Sequence, residues 1–451
     1  MIFKNQRVLV IGLAKSGISA IKALKEEGAL VLVNDSKTAT QLESLIPEIM
    51  PYVTETIFGG HPEQIQEIDL VVVSPGVPLD LPFIQKIRQK NIPIIGEIEL
   101  AFQLCKGTFI GITGTNGKTT TTALTGEMFK NAGKDHFVVG NIGIPAVSRA
   151  KEATDKTVMV TELSSFQLES IIDFRAHIAA ILNVTPDHLN RHKTMANYVE
   201  AKARVIENQN EADYLILNYD NEITRALGKK AKSKVIYCSQ KTILDEGVYV
   251  ESGYFIIRLD SKKISVCRID EMFILGAHNV ENALASIAMA YLSGIQVETI
   301  KQTLMTFKGV EHRIEYVGTI NDRKFYNDSK GTNVDSTVCA LKSMQTNTVL
   351  IAGGMDKGST FEALFEAFEG KVTAMVLLGE TKHLIRAEAL KNQFENCVLV
   401  ANMEEAVSKA YELSDKGDAI LLSPACASWD MYDNFEKRGE HFKKCVHTLK
   451  D

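Results

Sequence analysis

The chain has 451 residues, 45% hydrophobic and 24% charged, with a formal net charge of −6. That size predicts roughly two to four globular domains with real cores, and the acidic balance argues against bulk electrostatic capture by nucleic acid or an anionic membrane. Seven scattered cysteines, with no Cys-x-x-Cys pair, argue against a disulfide framework or a zinc site and for a reducing cytoplasm; no apolar run reaches the length of a membrane span, and no signal peptide is visible.

In chain order, Arg7 to Ile11 reads as a strand, followed by a turn and a helix through Ala20 to Leu24. Leu30 to Asn34 and Leu70 to Val73 are further strands, the second ending in the turn Ser74-Pro75-Gly76. Apolar strands separated by helices predict a parallel sheet covered on both faces. A boundary is expected near Gly96 to Leu100. The short strand Thr108 to Ile110 then leads into GITGTNGKTT, Gly111 to Thr120, and a helix pattern through Leu124 and Met128. Val158 to Val160 and Ile178 to Asn183 are buried-looking strands. Val235 to Cys238, Gly247 to Leu259 and Lys263 to Ile269 alternate with period two, which predicts a small antiparallel sheet appended to the α/β core. A helix follows from Ala277. From Gly309 onward the strands Lys324 to Tyr326, Thr348 to Ala352, Ala374 to Leu378, Cys397 to Val400 and Ala419 to Ser423 alternate with helical stretches, predicting another α/β domain.

The segment Gly111 to Thr120 carries the most chemistry. In a strand, glycine turn and helix, the backbone N–H groups of Gly114, Thr115, Asn116 and Gly117 converge on one spot, and the helix N-terminus adds positive potential, so the spot suits a phosphate. Lys118 would reach the outer phosphates and the Thr119 hydroxyl a Mg²⁺, with Thr120 beside it. The strict phosphate-loop pattern fails at Ile112, where its first glycine belongs. Glu162, past a strand in the same region, reads either as a Mg²⁺ ligand or as a strand-end carboxylate in solvent. On composition His188, in NVTPDHLNRH, reads as a helix-start residue beside a capping Asp187. Lys202, in ANYVEAKARVIE, falls at the edge of an apolar stripe; it either snorkels to water or, desolvated, becomes a neutral amine. Asn279 and Asn282, three apart on a helix, could cap that helix or read a base edge. Gly12 to Gly17, with Asp35 about twenty residues on, is a weak dinucleotide fingerprint lacking its middle glycine. The polar loops at Asn327 to Asn333, Gly353 to Phe361 and Leu422 to Gly439 all follow strands and together look like a site on one sheet edge.

The order of motifs, GITGTNGKTT, ELSSFQLE, NVTPDHLNRH, YVEAKARV, HNVENALA, EHRIE and NDSKGTN, resembles the Mur ligases of peptidoglycan synthesis over nearly the whole chain. Its last loops resemble those of the D-glutamate-adding branch. The resemblance implies an α/β fold of three domains: a Rossmann-like N-terminal domain (1–98) for the UDP substrate, a central P-loop ATPase-like α/β domain (99–308) with the small antiparallel sheet, and a C-terminal Rossmann-like α/β domain (309–451) for D-glutamate. It implies an ATP-dependent ligase, cytoplasmic and monomeric, that joins D-glutamate to UDP-N-acetylmuramoyl-L-alanine through an acyl phosphate, and a C-terminal domain that closes on its ligands. By similarity, Thr119 and Glu162 hold one Mg²⁺, and His188 and a carbamylated Lys202 a second. Asn279 and Asn282 lie by the adenine, and Arg313 and Asp328 by the ATP phosphates and ribose. Ser16, Ser36, Lys37, Gly76 and Asn141 lie along the UDP-muramoyl group, with His188 nearby, and Lys330, Thr332, Lys357, Ser428 and Phe435 hold D-glutamate. The chain departs from its relatives at Lys15 and Ser16, where they often have Leu and Thr, and at Gly331, where Ala is common.

Overall fold

The computed structural model describes residues 2–61, 67–356 and 358–449. Contacts divide the chain into two compact units, one of residues 1–271 and 280–304, the other of residues 272–279 and 305–451.

The first unit holds two sheets. Strands β1 (Arg7–Ile11), β2 (Leu30–Asp35), β3 (Glu55–Phe58), β4 (Leu70–Val73) and β5 (Ile94–Gly96) form an all-parallel sheet ordered β3-β2-β1-β4-β5. The runs VLVI (Val8 to Ile11), LVLV and LVVV are apolar at every position because both faces are covered. Val8, Val10, Val31 and Val33 pack into one core cluster, while Leu9, Ile11, Leu32, Val71 and Val73 pack into another on the opposite face. The chain reverses direction across the sheet between β2 and β4, both neighbours of β1, and this is where an open α/β sheet leaves a crevice.

The second sheet contains β6 (Thr108–Thr113), β7 (His136–Gly140), β8 (Val158–Glu162), β9 (Ile178–Ile181), β10 (Tyr214–Asn218), β11 (Lys234–Ser239), β12 (Gly247–Glu251), β13 (Tyr254–Leu259) and β14 (Lys262–Arg268). Its order is β14-β13-β12-β11-β10-β9-β6-β8-β7. The period-two region is therefore not a separate sheet. β11 lies parallel to β10, β12 pairs with β11, and only β12 to β14 run antiparallel. Alternation in sequence reports a half-exposed strand; which strand it pairs with is decided by β10, whose short run YLILN carries no period. The helix Glu97–Leu104 is fixed to this layer by aromatic edges, with Phe102, Phe109 and Phe174 centroids 5.4–5.9 Å apart. Two buried carboxylates on its first turn accept backbone N–H groups. Glu97 binds Val147 at 2.7 Å, and Glu99 binds Ile172 and Phe174 at 2.8 and 2.9 Å. Burial pushes the Glu97 carboxyl up to about 7.

The second unit is built on β15 (Glu315–Ile320), β16 (Arg323–Asn327), β17 (Thr348–Ala352), β18 (Val372–Leu377), β19 (Cys397–Leu399) and β20 (Ala419–Leu422), ordered β15-β16-β20-β17-β18-β19. All neighbours are parallel except β15 with β16. Because β20 lies between β16 and β17, the three polar loops that follow these strands emerge side by side at the carboxyl edge, the binding edge of such sheets. Among the described residues, no helix is long and apolar enough to cross a membrane.

Candidate active site

β6 is the central strand of its neighbourhood, flanked by β9 and β8, and its turn opens where the sheet order changes direction. The turn Gly114 to Gly117 joins β6 to the helix Lys118–Asn131. Gly117 caps that helix with φ +84°, and a Cβ at this position would also collide with the Asn282 amide. Only glycine meets both demands without strain. The turn is held from the next strand: Asn183 accepts from Asn116 N at 2.8 Å and returns its amide to Asn116 O, and the Thr115 hydroxyl meets Tyr198 Oη at 3.2 Å.

Two lysine ammonium groups converge on one carbonyl. Lys118 Nζ donates to Gly114 O at 2.9 Å and to Thr115 O at 2.8 Å, and Lys202 Nζ donates to the same Gly114 O at 2.8 Å. Lys202 sits on the helix Met195–Ala203 and is 1% exposed, so it does not snorkel. The Tyr198 ring, one turn earlier, lies 4.7 Å from its nitrogen. Burial, with a smaller push from the Lys118 charge, lowers the Lys202 ammonium to about 7, the effect expected when a cation is desolvated beside another cation.

Glu162 ends β8 and is buried, not solvated. One carboxylate oxygen accepts from Asn141 Nδ2 at 2.9 Å; the other is buried and has no hydrogen-bond partner among the described residues. An anionic oxygen left so is costly unless a cation or donor meets it. Thr119 and Thr120, on the first turn of the loop helix, are also buried. His188 is half-exposed at φ 51°, heading the short helix Leu189–His192, and Asp187 accepts its backbone N–H at 2.8 Å. Its ring lies 5.0 Å from Phe166 and 6.4 Å from Tyr198, the ring that also faces Lys202. Asn282 accepts from Thr121 Oγ1 and lines a narrow slot with Asn218, Gln240 and Glu281.

At the crevice of the first sheet lies a cavity of about 450 Å³, lined by Ser36, Lys37 and Gly76 together with Gly12, Asp35 and His61. Ser16 sits beside it on the first turn of the helix Lys15–Glu26. The Asp35 carboxylate is taken by backbone: it accepts Leu13 N at 2.8 Å and Lys37 N at 2.9 Å. The fingerprint acid thus ties the turn to the next loop. Asn141 is placed away from this cavity, on Glu162.

In the second unit, Asp328 follows β16 and is buried. It accepts from Ser423 Oγ at 2.7 Å and Ile314 N at 3.2 Å, and burial pushes its carboxyl up to about 7 despite the nearby Arg313. Lys330 Nζ lies 5.5 Å from the Phe435 ring centroid, Thr332 shares its loop, and Ser428 is buried in the loop after β20. Asn279 donates to Leu275 O at 2.7 Å. Lys357 lies outside the described residues.

Sequence reasoning missed Arg438. It is 3% exposed and donates to Ser329 O at 2.8 Å, Cys426 O at 3.1 Å and Ala427 O at 3.2 Å, so one guanidinium fastens the loops after β16 and β20 to the helix Phe435–Thr448. Burial lowers it to about 10. Asn183 and Tyr198 were visible only as members of motifs, without roles.

Three family models cover the chain: the MurD-like N-terminal domain of Mur ligases at residues 6–96, the Mur ligase middle domain at 112–290, and the Mur ligase glutamate ligase domain at 312–426. The chain belongs to the Mur ligase family. Within it, the chain is 51% identical to the UDP-N-acetylmuramoylalanine–D-glutamate ligase of Alkaliphilus metalliredigens over 453 residues, and 51% identical to that of Clostridioides difficile over 452, with full coverage of both proteins in each case. In three dimensions it is similar to UDP-N-acetylmuramate-alanine ligase MurC of Thermotoga maritima (TM-score 0.61, 18% identity, 99% of this chain and 100% of that one). It is also similar to MurF of Acinetobacter baumannii (TM-score 0.61, 15% identity, 98% and 93%). At such identities these two likenesses show the fold alone.

Proposed function

We propose that this chain joins D-glutamate to UDP-N-acetylmuramoyl-L-alanine at the expense of ATP, in the cytoplasmic synthesis of peptidoglycan precursors. The observation that carries the reading is the convergence of Lys118 and Lys202 on Gly114 O in the same loop-centred site as Glu162, a buried carboxylate with one partnerless oxygen. It is the outline of a site for phosphoryl transfer between anions, where catalysis is positioning and charge neutralisation. Full-length relatives bearing this activity support the choice of substrates.

The substrate carboxylate attacks the γ-phosphorus of ATP, the bond to the β–γ bridging oxygen breaks, and ADP leaves. The amine of D-glutamate then attacks the acyl phosphate carbonyl and loses a proton. The tetrahedral intermediate collapses to the amide and inorganic phosphate. Lys118 exchanges its carbonyl partners for phosphate oxygens, and the loop N–H groups of Gly114 to Gly117 hold the same group. Thr119 and Glu162 would hold one Mg²⁺, whose fit is supported by the partnerless Glu162 oxygen. His188 and a carbamylated Lys202 would hold a second. Bound Mg²⁺ supplies charge neutralisation of the phosphate oxygens. Lys202 suits carbamylation because its amine is neutral in an appreciable fraction near pH 7: nitrogen bonds the carbon of CO₂, a proton leaves to solvent, and an anionic oxygen donor results, the kind hard cations take. Asn279 and Asn282 serve the adenine, and Arg313 and Asp328 the phosphates and ribose. Ser16, Ser36, Lys37, Gly76 and Asn141 serve the UDP-muramoyl group, and Lys330, Thr332, Lys357, Ser428 and Phe435 serve D-glutamate. The boundaries 1–98, 99–308 and 309–451 and a monomeric state belong to the same reading.

The route is tested with substrate carrying ¹⁸O in its carboxylate, incubated with ATP, Mg²⁺ and D-glutamate. Transfer of one ¹⁸O atom into inorganic phosphate, read by mass spectrometry, is expected. Phosphate without the label contradicts the acyl phosphate.

A further inference from the structure

The helices Met403–Leu413 and Phe435–Thr448 pack on one face of the third sheet, where Met403, Ala406, Val407, Phe442 and Val446 share a core with β17 and β20. Where the two helices meet, three groups of different chemistry face one another. We propose that Glu404, His441 and Cys445 form a binding site for a divalent transition metal of the zinc type, which clamps the two helices together.

His441 and Cys445 are four apart on one helix and so share a face. Glu404 comes from the first turn of the other helix. One ligand atom from each, the imidazole nitrogen, the thiol sulfur and a carboxylate oxygen, lies within 4.8 Å of the other two, and His441 Nε2 is 3.0 Å from Glu404 Oε1. Tetrahedral zinc, with bonds of about 2.3 Å to sulfur and about 2.0–2.1 Å to nitrogen and oxygen, separates its ligand atoms by about 3.4–3.6 Å. The 3.0 Å between His441 Nε2 and Glu404 Oε1 and the limit of 4.8 Å on the other separations bracket that spacing, and the exposed Glu404 side chain can adjust to it.

A second contact orients the ring. The Tyr432 hydroxyl lies 2.9 Å from His441 Nδ1 and leaves Nε2 turned towards Glu404. Such a partner on the far nitrogen is the usual companion of a metal-binding histidine. The donor set, one sulfur, one nitrogen and one oxygen, selects Zn²⁺ or Co²⁺ and disfavours Mg²⁺, which takes oxygen ligands. The site is therefore chemically separate from the ATP-bound cations. On binding, the Cys445 thiol gives its proton to solvent, the His441 proton that faces Glu404 on Nε2 is replaced by the metal and carried instead on Nδ1, where it is donated to the Tyr432 hydroxyl oxygen, and water fills the fourth position. The exposed neighbour Lys444 is the nearby opposing charge. The helix so clamped begins at Phe435 and carries Arg438, so the metal braces from its far end the element that fastens the loops after β16 and β20. No Cys-x-x-Cys spacing announces the site because its ligands come from two helices.

The test is a titration of the full chain with Co²⁺ in place of Zn²⁺. A thiolate-to-Co²⁺ charge-transfer band in the near ultraviolet, with the visible bands of tetrahedral Co²⁺, should saturate at one equivalent and be displaced by Zn²⁺. Cys445→Ser and His441→Ala should each abolish the bands while leaving phosphate release in Mg²⁺ alone unchanged, and Cys397→Ser should keep them. Glu404→Gln should weaken Co²⁺ at least tenfold. A wild-type protein without the charge-transfer band, or bands that survive in Cys445→Ser or His441→Ala, would overturn the site; an unchanged affinity in Glu404→Gln would overturn the clamp between helices.

Discussion

The turn after β1 and the turn after β6 share a local plan, a buried parallel strand running through glycines into a helix N-terminus, yet they present opposite chemistry. After β6, two ammonium groups meet on Gly114 O, and Glu162, in the same site, is buried with one oxygen unpartnered. After β1, the Asp35 carboxylate is already bound to Leu13 N and Lys37 N, and the turn faces a cavity of about 450 Å³ that Lys37 also lines. A helix N-terminus and glycines provide room and positive potential in both. What differs is the charged groups that other strands and helices bring, and on the proposed function these equip one turn to stabilise transferring charge and the other to hold a ligand.

If that contrast is right, the largest effect belongs to Lys118. Lys118→Ala should lower the rate of phosphate release by about 10³-fold or more, the scale on which charge-stabilising groups act in phosphoryl transfer; a loss under tenfold would erase the distinction between the turns. Lys202→Ala and Lys202→Arg should each cost about 10²-fold, since arginine keeps a charge but cannot become a neutral amine. The dependence on pH has a definite sign. The Lys202 ammonium, lowered to about 7, deprotonates as pH rises, so activity at a fixed, limiting CO₂ concentration should rise between pH 6 and 8 and be restored at the lower pH by added bicarbonate. By the same shift the folded chain binds fewer protons than the unfolded one from about pH 7 to about 10, so this residue's contribution to stability rises with pH across that window, measurable in the Tm difference between wild type and Lys202→Met.

A matched pair of alanines sharpens the comparison. Gly117→Ala forces a side chain into a left-handed turn and onto Asn282, and should raise the KM for ATP about tenfold while leaving that for the UDP substrate unchanged. Gly17→Ala pushes a Cβ into Gly12 O; such overpacking costs about 1–3 kcal/mol, and it should raise the UDP-substrate KM and leave the ATP KM alone. The smallest effect is expected from Asp35→Asn, which keeps one acceptor for the two backbone donors: a few-fold higher KM for the UDP substrate with kcat unchanged.

How much of this was legible depends on where each partner lies in the chain. The phosphate loop was readable because strand, turn, lysine and threonine are contiguous. Lys202 was ambiguous because its helix position is at the edge of the apolar stripe, and the carbonyl that decides its direction, Gly114 O, is far away in sequence. Glu162 taken alone read equally well as solvated, and only its place beside Lys118 and Thr119 favoured a metal role; the structure buries it at the end of β8. Arg438 gave no signal, since its acceptors are backbone carbonyls that have no sequence signature. The alternation of β12 to β14 was readable, but not their continuity with the large sheet through β11, because β10 is a short apolar run without a period. The three C-terminal loops were correctly expected at one edge, an inference that needed only parallel strands.

The most direct measurement is phosphate release with ATP, Mg²⁺ and UDP-N-acetylmuramoyl-L-alanine across D-glutamate, L-glutamate, L-lysine and diaminopimelate. Release with D-glutamate and with none of the others is the expected result. Release with another amino acid would contradict the substrate assignment, and no release with any of them would contradict the ligase reading itself.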